Sequence, residues 1–157
     1  MNTEVTPPKR RFRIDWVMYI LVAAGLVGLI IWTTRDELSK NPSREATVDL
    51  GPNGFITIRF STDPYPPLPT GTVNLSFLPI DSRGRTVAID NLSYDYGFSG
   101  SDQPVGSGIA ELMTDNSGMF MAAAQFPTVG DWWLRATVSK SGVQDEVRFT
   151  FYVKPAQ

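Results

Sequence analysis

The stretch Trp16–Trp32, WVMYILVAAGLVGLIIW, carries no charged residue, and the Tyr19 hydroxyl is its polar group. At about 1.5 Å rise per helical residue it nearly covers a hydrocarbon layer roughly 30 Å thick. The pattern predicts one transmembrane helix over 16–34. That helix divides the chain into a basic tail (1–15), a linker (35–45) and a polar C-terminal domain (46–157). Trp16 and Tyr19 at one end, and Trp32 at the other, suit the two membrane interfaces.

Charge gives the helix a direction. Lys9, Arg10, Arg11 and Arg13 precede it with Glu4, whereas Arg35, Lys40 and Arg44 follow it together with Asp36, Glu37 and Glu45. Cationic residues stay on the cytoplasmic side. The expectation is therefore a bacterial single-pass membrane protein with its N-terminus inside and its domain extracytoplasmic. The apolar run exceeds the 7–15 residues typical of a signal-peptide core, and it ends in IIWTTRDE without a small-x-small site. It reads as an uncleaved signal anchor. Gly25 and Gly28 are three apart and do not give the GxxxG spacing of close helix pairs.

Composition then removes most chemistry. The chain has no Cys and no His. It therefore lacks a disulfide framework, a thiolate nucleophile, the usual general base and the commonest zinc, copper and iron ligand. Neither G-x-S-x-G nor a phosphate-binding loop occurs. The part after the helix is mildly acidic, which disfavours nucleic acid because phosphate neutralisation needs clustered Lys and Arg. These exclusions predict a protein that is not an enzyme and has no resident cofactor.

From Ala46 onward, short alternating or β-branched segments recur between Gly, Pro, Asn and Asp. Strands are expected at 46–50, 55–60, 72–80, 86–90, 92–98, 109–114, 119–126, 132–140 and 145–154. A phase shift between Ile89 and Leu92 marks a bulge or break. Turns are expected at GPNG, DSRG (81–84), DNSG and SGVQ. With 86–98 counted as one bulged strand, seven or eight strands at roughly ten-residue spacing indicate a mainly β fold, an immunoglobulin-like antiparallel β-sandwich. Alternation places Trp132, Leu134, Ala136 and Val138 inward, facing Val147, Phe149, Phe151 and Val153. It also places Phe120, Ala122, Ala124 and Phe126 inward, with Met119, Met121 and Trp133 outward.

Two sets of residues are candidates for function. Met119 and Met121 share a strand face, two residues apart, so their sulfurs could approach within roughly 7 Å. Met113 sits on the preceding segment. Thioethers suit Cu(I), so copper is the alternative cofactor; the bland reading is adaptable packing. The second set is Tyr94, Tyr96, Phe98 and Trp133. As surface residues they would bind a protein partner; as core residues they would only pack. DPYPPLP (63–69) reads as a rigid crossing. Asp81, Asp115, Asp131 and Asp145 read as turn formers. The sequons at Asn74 and Asn91 fall in strands and read as chance.

The stretch SGMFMAAAQFPTVGDWWLRATV (117–138) resembles the C-terminal half of a YtkA-like or FixH-like domain, through Gly118, Phe120, Gly130 and Trp132. TGTVNLSFLPIDSRGRTV (70–87) is similar to the first hairpin of that family. The resemblance implies an extracytoplasmic immunoglobulin-like domain behind one N-terminal span. It also implies association with the assembly or copper supply of respiratory oxidases. The chain departs from the family at LSYDYGF, where relatives carry a methionine-rich segment, and at Val129, where they often carry Met. The expected partners are the lipid bilayer and another membrane protein or complex, and the expected role is that of an accessory or assembly factor.

Overall fold

The last two strands are eleven residues each and form the longest hairpin of the domain, with buried positions alternating from Leu134 to Val138 and from Val147 to Val153. The computed structural model describes residues 19–20, 22–29 and 42–156. It divides into two units, Met1–Lys40 and Asn41–Gln157. In the first unit the described residues are helical and exposed, with Tyr19, Ile20, Val22, Leu26, Val27 and Leu29 presenting apolar surface. Among the described residues no helix is long and apolar enough to cross a membrane. Trp16, Trp32, Arg10, Arg11 and Arg13, the tail and residues 35–41 of the linker lie outside the described residues.

The second unit is mainly β, with nine strands. These are β1 (Arg44–Asp49), β2 (Phe55–Asp63), β3 (Val73–Ile80), β4 (Asn91–Phe98), β5 (Gly106–Ile109), β6 (Glu111–Leu112), β7 (Phe120–Ala124), β8 (Gly130–Lys140) and β9 (Val143–Val153). Two antiparallel sheets result, a five-stranded one in the order β1-β2-β3-β7-β6 and a four-stranded one in the order β5-β4-β8-β9.

Local chemistry explains the connections. Ser141 and Gly142 both have positive φ, 52° and 79°, the backbone of a two-residue hairpin whose twist matches its strands. The Asp90 carboxylate accepts the Ser141 N–H and fastens that turn. At 81–84 the Asp81 carbonyl accepts the Gly84 N–H, and its carboxylate accepts the backbone N–H groups of Arg83 and Arg85. The backbone hydrogen bond from Arg85, followed by the Arg85 side chain, holds the Asp81 carboxyl below its ordinary value. The proline-rich crossing after β2 contains cis bonds at Asp63–Pro64 and Tyr65–Pro66.

Two expected strands are corrected. Residues 86–90 form no strand beyond a single bridge from Thr86 to Ile80. Here the chain leaves β3 in one sheet for β4 in the other, so Ile89 packs on the core without a strand neighbour. Residues 109–114 divide into the end of β5 and the whole of β6, in opposite sheets. Buried Ala110 is the pivot, and its N–H is held by the Leu92 carbonyl.

The core lies between the sheets. Trp132 is fully buried at its centre, with Phe126 at 5.2 Å and Phe98 at 5.8 Å, both edge-to-face. Its indole N–H donates to the Thr128 carbonyl at 2.9 Å. Phe60 joins Phe77, Phe149 and Phe151 in a second aromatic group. Burying each such ring contributes roughly 1.5–3 kcal/mol.

Candidate functional site

β6 and β7 form one edge of the five-stranded sheet, and the methionines gather there. Phe120 is buried, so its neighbours Met119 and Met121 point to the outer face. Met121 stands opposite Glu111 in the strand register. The Met113 N–H donates to the Met119 carbonyl at 2.9 Å, which places those two residues opposite each other. Directly opposed residues on antiparallel strands share a face, with Cβ atoms about 5 Å apart. Met113, Met119, Met121 and Glu111 therefore occupy four adjacent outer positions. Met113 is the most open of these three methionines, 38% exposed.

Two contacts order this edge. The Ser76 hydroxyl donates to the Met121 sulfur at 3.0 Å, fixing a thioether that otherwise has three free torsions. The turn before Met119 closes on itself, with the Asp115 carboxylate accepting the Ser117 N–H and the Ser117 hydroxyl accepting the Met119 N–H. The hydrogen bond to the Ser117 side chain is the main cause that lowers the Asp115 carboxyl from its ordinary value. A shallow groove of about 360 Å³ runs beside Met121, between Asn74, Ile109 and Ala123. Soft thioethers with one carboxylate suit Cu(I) better than a hard cation. Among the described residues no group of three or more His, Cys, Asp or Glu is placed to hold a metal.

The aromatic set is dispersed. Tyr94 is only 8% exposed and points into the sandwich, where its hydroxyl donates to the Ala123 carbonyl on β7 at 3.0 Å. Burial raises its phenol above the ordinary value, with a smaller push from Tyr96. Tyr96 is half-buried and stacks on Tyr94 at 6.3 Å, and its hydroxyl accepts the Gln125 N–H at 3.5 Å. β5 makes room for both rings, because a Cβ at Gly106 or Gly108 would strike the Tyr96 or Tyr94 hydroxyl. Phe98 is 41% exposed and covers the edge of Trp132.

Trp133 does point outward, yet only 2% of it is exposed. The loop after β4 folds over it, and the Ser101 carbonyl accepts its indole N–H at 2.8 Å. Gly97 lies beneath, where a Cβ would sit 2.5 Å from the indole ring. Arg148 and Arg135 lie over the indole at 4.9 and 5.8 Å from the ring centroid. The Asp95 carboxylate takes two hydrogen bonds from Arg135, and this pairing raises the Arg135 guanidinium above its ordinary value.

Ser76, Glu111, Arg135 and Arg148 belong to no motif that the sequence presents. Trp133-x-Arg135 and Arg148 do lie on outward positions of adjacent alternating strands, which was the available signal.

No family model matches the chain, and no curated protein matches it. Among solved structures, FetP from uropathogenic E. coli strain F11, expressed in the E. coli periplasm, is similar, with a TM-score of 0.53 and 13% identity. The match covers 73% of this chain and 96% of FetP. CopC from Methylosinus trichosporium OB3b is matched with a TM-score of 0.43 and 22% identity, over 73% of this chain and 97% of CopC. The likeness to FetP is one of fold.

Proposed function

We propose that the chain is a membrane-tethered, extracytoplasmic Cu(I)-handling domain that serves a membrane complex. The observation that carries this reading is the meeting of Met113, Met119 and Met121, with Glu111, on the outer face of one sheet edge. Copper here is cargo. A thioether is a neutral, soft ligand, so three of them hold Cu(I) without deprotonation, and the Glu111 carboxylate offsets its charge. Met121 is held ready by Ser76, while exposed Met113 is the sulfur that a receiving protein meets first.

Other features support the setting. β2-β3-β7-β6 facing β5-β4-β8-β9 follows the strand order of an immunoglobulin-like Greek key, with β1 added at one edge. The apolar run Trp16–Trp32 supports a span over 16–34 with the basic tail inside and the domain outside. The absence of His and Cys supports a role in binding and not catalysis. Tyr94, Tyr96 and Trp133 are largely covered, which leaves Phe98 as the accessible member of the aromatic set. The receiving partner is a membrane complex, of which a respiratory oxidase is the type implied by the YtkA-like and FixH-like resemblance.

The test is a Cu(I) titration of the full chain in nanodiscs against a competing chelator under reducing conditions. The expected dissociation constant is tighter than about 1 μM, and Met119→Ala with Met121→Ala weakens it by about tenfold or more. Affinity weaker than micromolar, or equal affinity in the double variant, would rule the reading out.

A further inference from the structure

The outer face of the four-stranded sheet holds a second feature, separate from the methionine edge and independent of the copper reading. Arg135 and Arg148 stand directly opposite each other on β8 and β9. Two like charges in that position repel each other. Asp95 neutralises Arg135 through two hydrogen bonds. Among the described residues, the carboxylate that Arg148 meets is that of Asp102, at 3.6 Å, beyond hydrogen-bond distance. Asp102 is 96% exposed, at the tip of the loop that covers Trp133. Arg148 thus lies over the buried Trp133 indole, 4.9 Å from the ring centroid, with its side chain half-exposed.

A guanidinium lying over an aromatic face presents a fork of donors that matches a carboxylate. Clefts of about 380 and 510 Å³ continue from it along the sheet, past Arg135 to the hydroxyls of Ser93, Ser107 and Thr137. Local charge selects the ligand. Arg135 and Arg148 face Asp95, Asp102 and Glu146, so the surroundings are not cationic. A phosphate or a polyanionic surface would be repelled, whereas a single carboxylate replaces that of Asp102 like for like. The polar clefts suit small or hydroxylated residues on either side.

We propose that this face is a recognition site for an extended peptide segment carrying one Asp or Glu among small polar residues. Arg148 receives the carboxylate, Trp133 holds the guanidinium flat, and Asp102 is the internal placeholder that the peptide displaces.

The probe is the blocked peptide acetyl-Ser-Gly-Asp-Gly-Ser-amide, with the Asn peptide as its control. The full chain in phosphatidylcholine nanodiscs is followed by the indole N–H resonance of Trp133. The Asp peptide is expected to shift that resonance saturably, and less so at high salt. The Asn peptide shifts nothing. Arg148→Gln abolishes the response and Arg148→Lys weakens it, while the Trp132 resonance stays in place as the check on folding. Asp102→Asn tightens binding severalfold. An equal response to the Asn peptide, or a response that survives in Arg148→Gln, would overturn the proposal. So would a shift produced only by adding phosphatidylglycerol.

Discussion

Tyr94 and Tyr96 lie two residues apart on one strand face, and each reaches from the four-stranded sheet to the backbone of the other. Their hydroxyl contacts differ in length, and that difference sets a paired prediction. Tyr94 donates to Ala123 at 3.0 Å, whereas the Tyr96 hydroxyl meets the Gln125 N–H at 3.5 Å. Tyr94→Phe keeps the ring against Phe77 and Tyr96 and removes only the hydroxyl. A hydrogen bond of ordinary length contributes about 1 kcal/mol net. In a domain of this size that corresponds to a fall in Tm of about 4 °C. Tyr96→Phe gives up a contact too long to contribute much, and is expected to cost less than about 0.5 kcal/mol.

The assay is urea unfolding of the 41–157 unit at neutral and alkaline pH. The phenol of Tyr94 is raised in the fold above 10.0, so the neutral form belongs to the native state. Its contribution is complete below pH 10.0 and is lost as the pH rises through the folded value. The stability gap between the wild type and Tyr94→Phe therefore narrows in alkali. If Tyr96→Phe costs as much as Tyr94→Phe, or the gap is unchanged above pH 10.0, the sheets are not joined in this way.

Other expectations are simpler. Gly97→Ala places a methyl 2.5 Å from the Trp133 ring and 2.7 Å from the Gln103 carbonyl, so it is expected to cost about 1–3 kcal/mol and to red-shift Trp133 fluorescence. The Asp81 carboxylate has a lowered pKa, so its contribution is present above pH 3.8 and is lost as the pH falls through the folded value. Asp81→Asn should remove that part of the acid transition in a pH-resolved unfolding series.

What was legible in the sequence is whatever alternation encodes. Trp132, Leu134, Ala136 and Val138 face the core, as do Val147, Phe149, Phe151 and Val153, because both strands are long and half-buried. Alternation gives direction but not cover. It placed Trp133 outward correctly, while the loop that buries it comes from a segment 32 residues away. It also could not separate a strand from a crossing. Residues 86–90 alternate like a strand, yet they cross from one sheet to the other, and their pairing stops at a single bridge from Thr86 to Ile80 and isolated hydrogen bonds from Val87 and Asp90. The same limit hid Ala110, a single residue that carries the chain from one sheet to the other. Site chemistry that depends on register was out of reach for this reason. Arg135 meets Asp95 forty residues away, and Ser76 meets Met121 forty-five residues away. Met119 and Met121 were legible because two residues on one strand need no long-range pairing to share a face.

In the proposed role, sulfur atoms from one sheet edge hold Cu(I). X-ray absorption at the copper edge, on the full chain loaded with one equivalent of Cu(I), reads the ligand atoms directly. The expected scattering is dominated by sulfur and is reduced stepwise in Met121→Ala and in Met119→Ala with Met121→Ala. A first shell of nitrogen and oxygen alone, or a sulfur signal unchanged in the double variant, would contradict it.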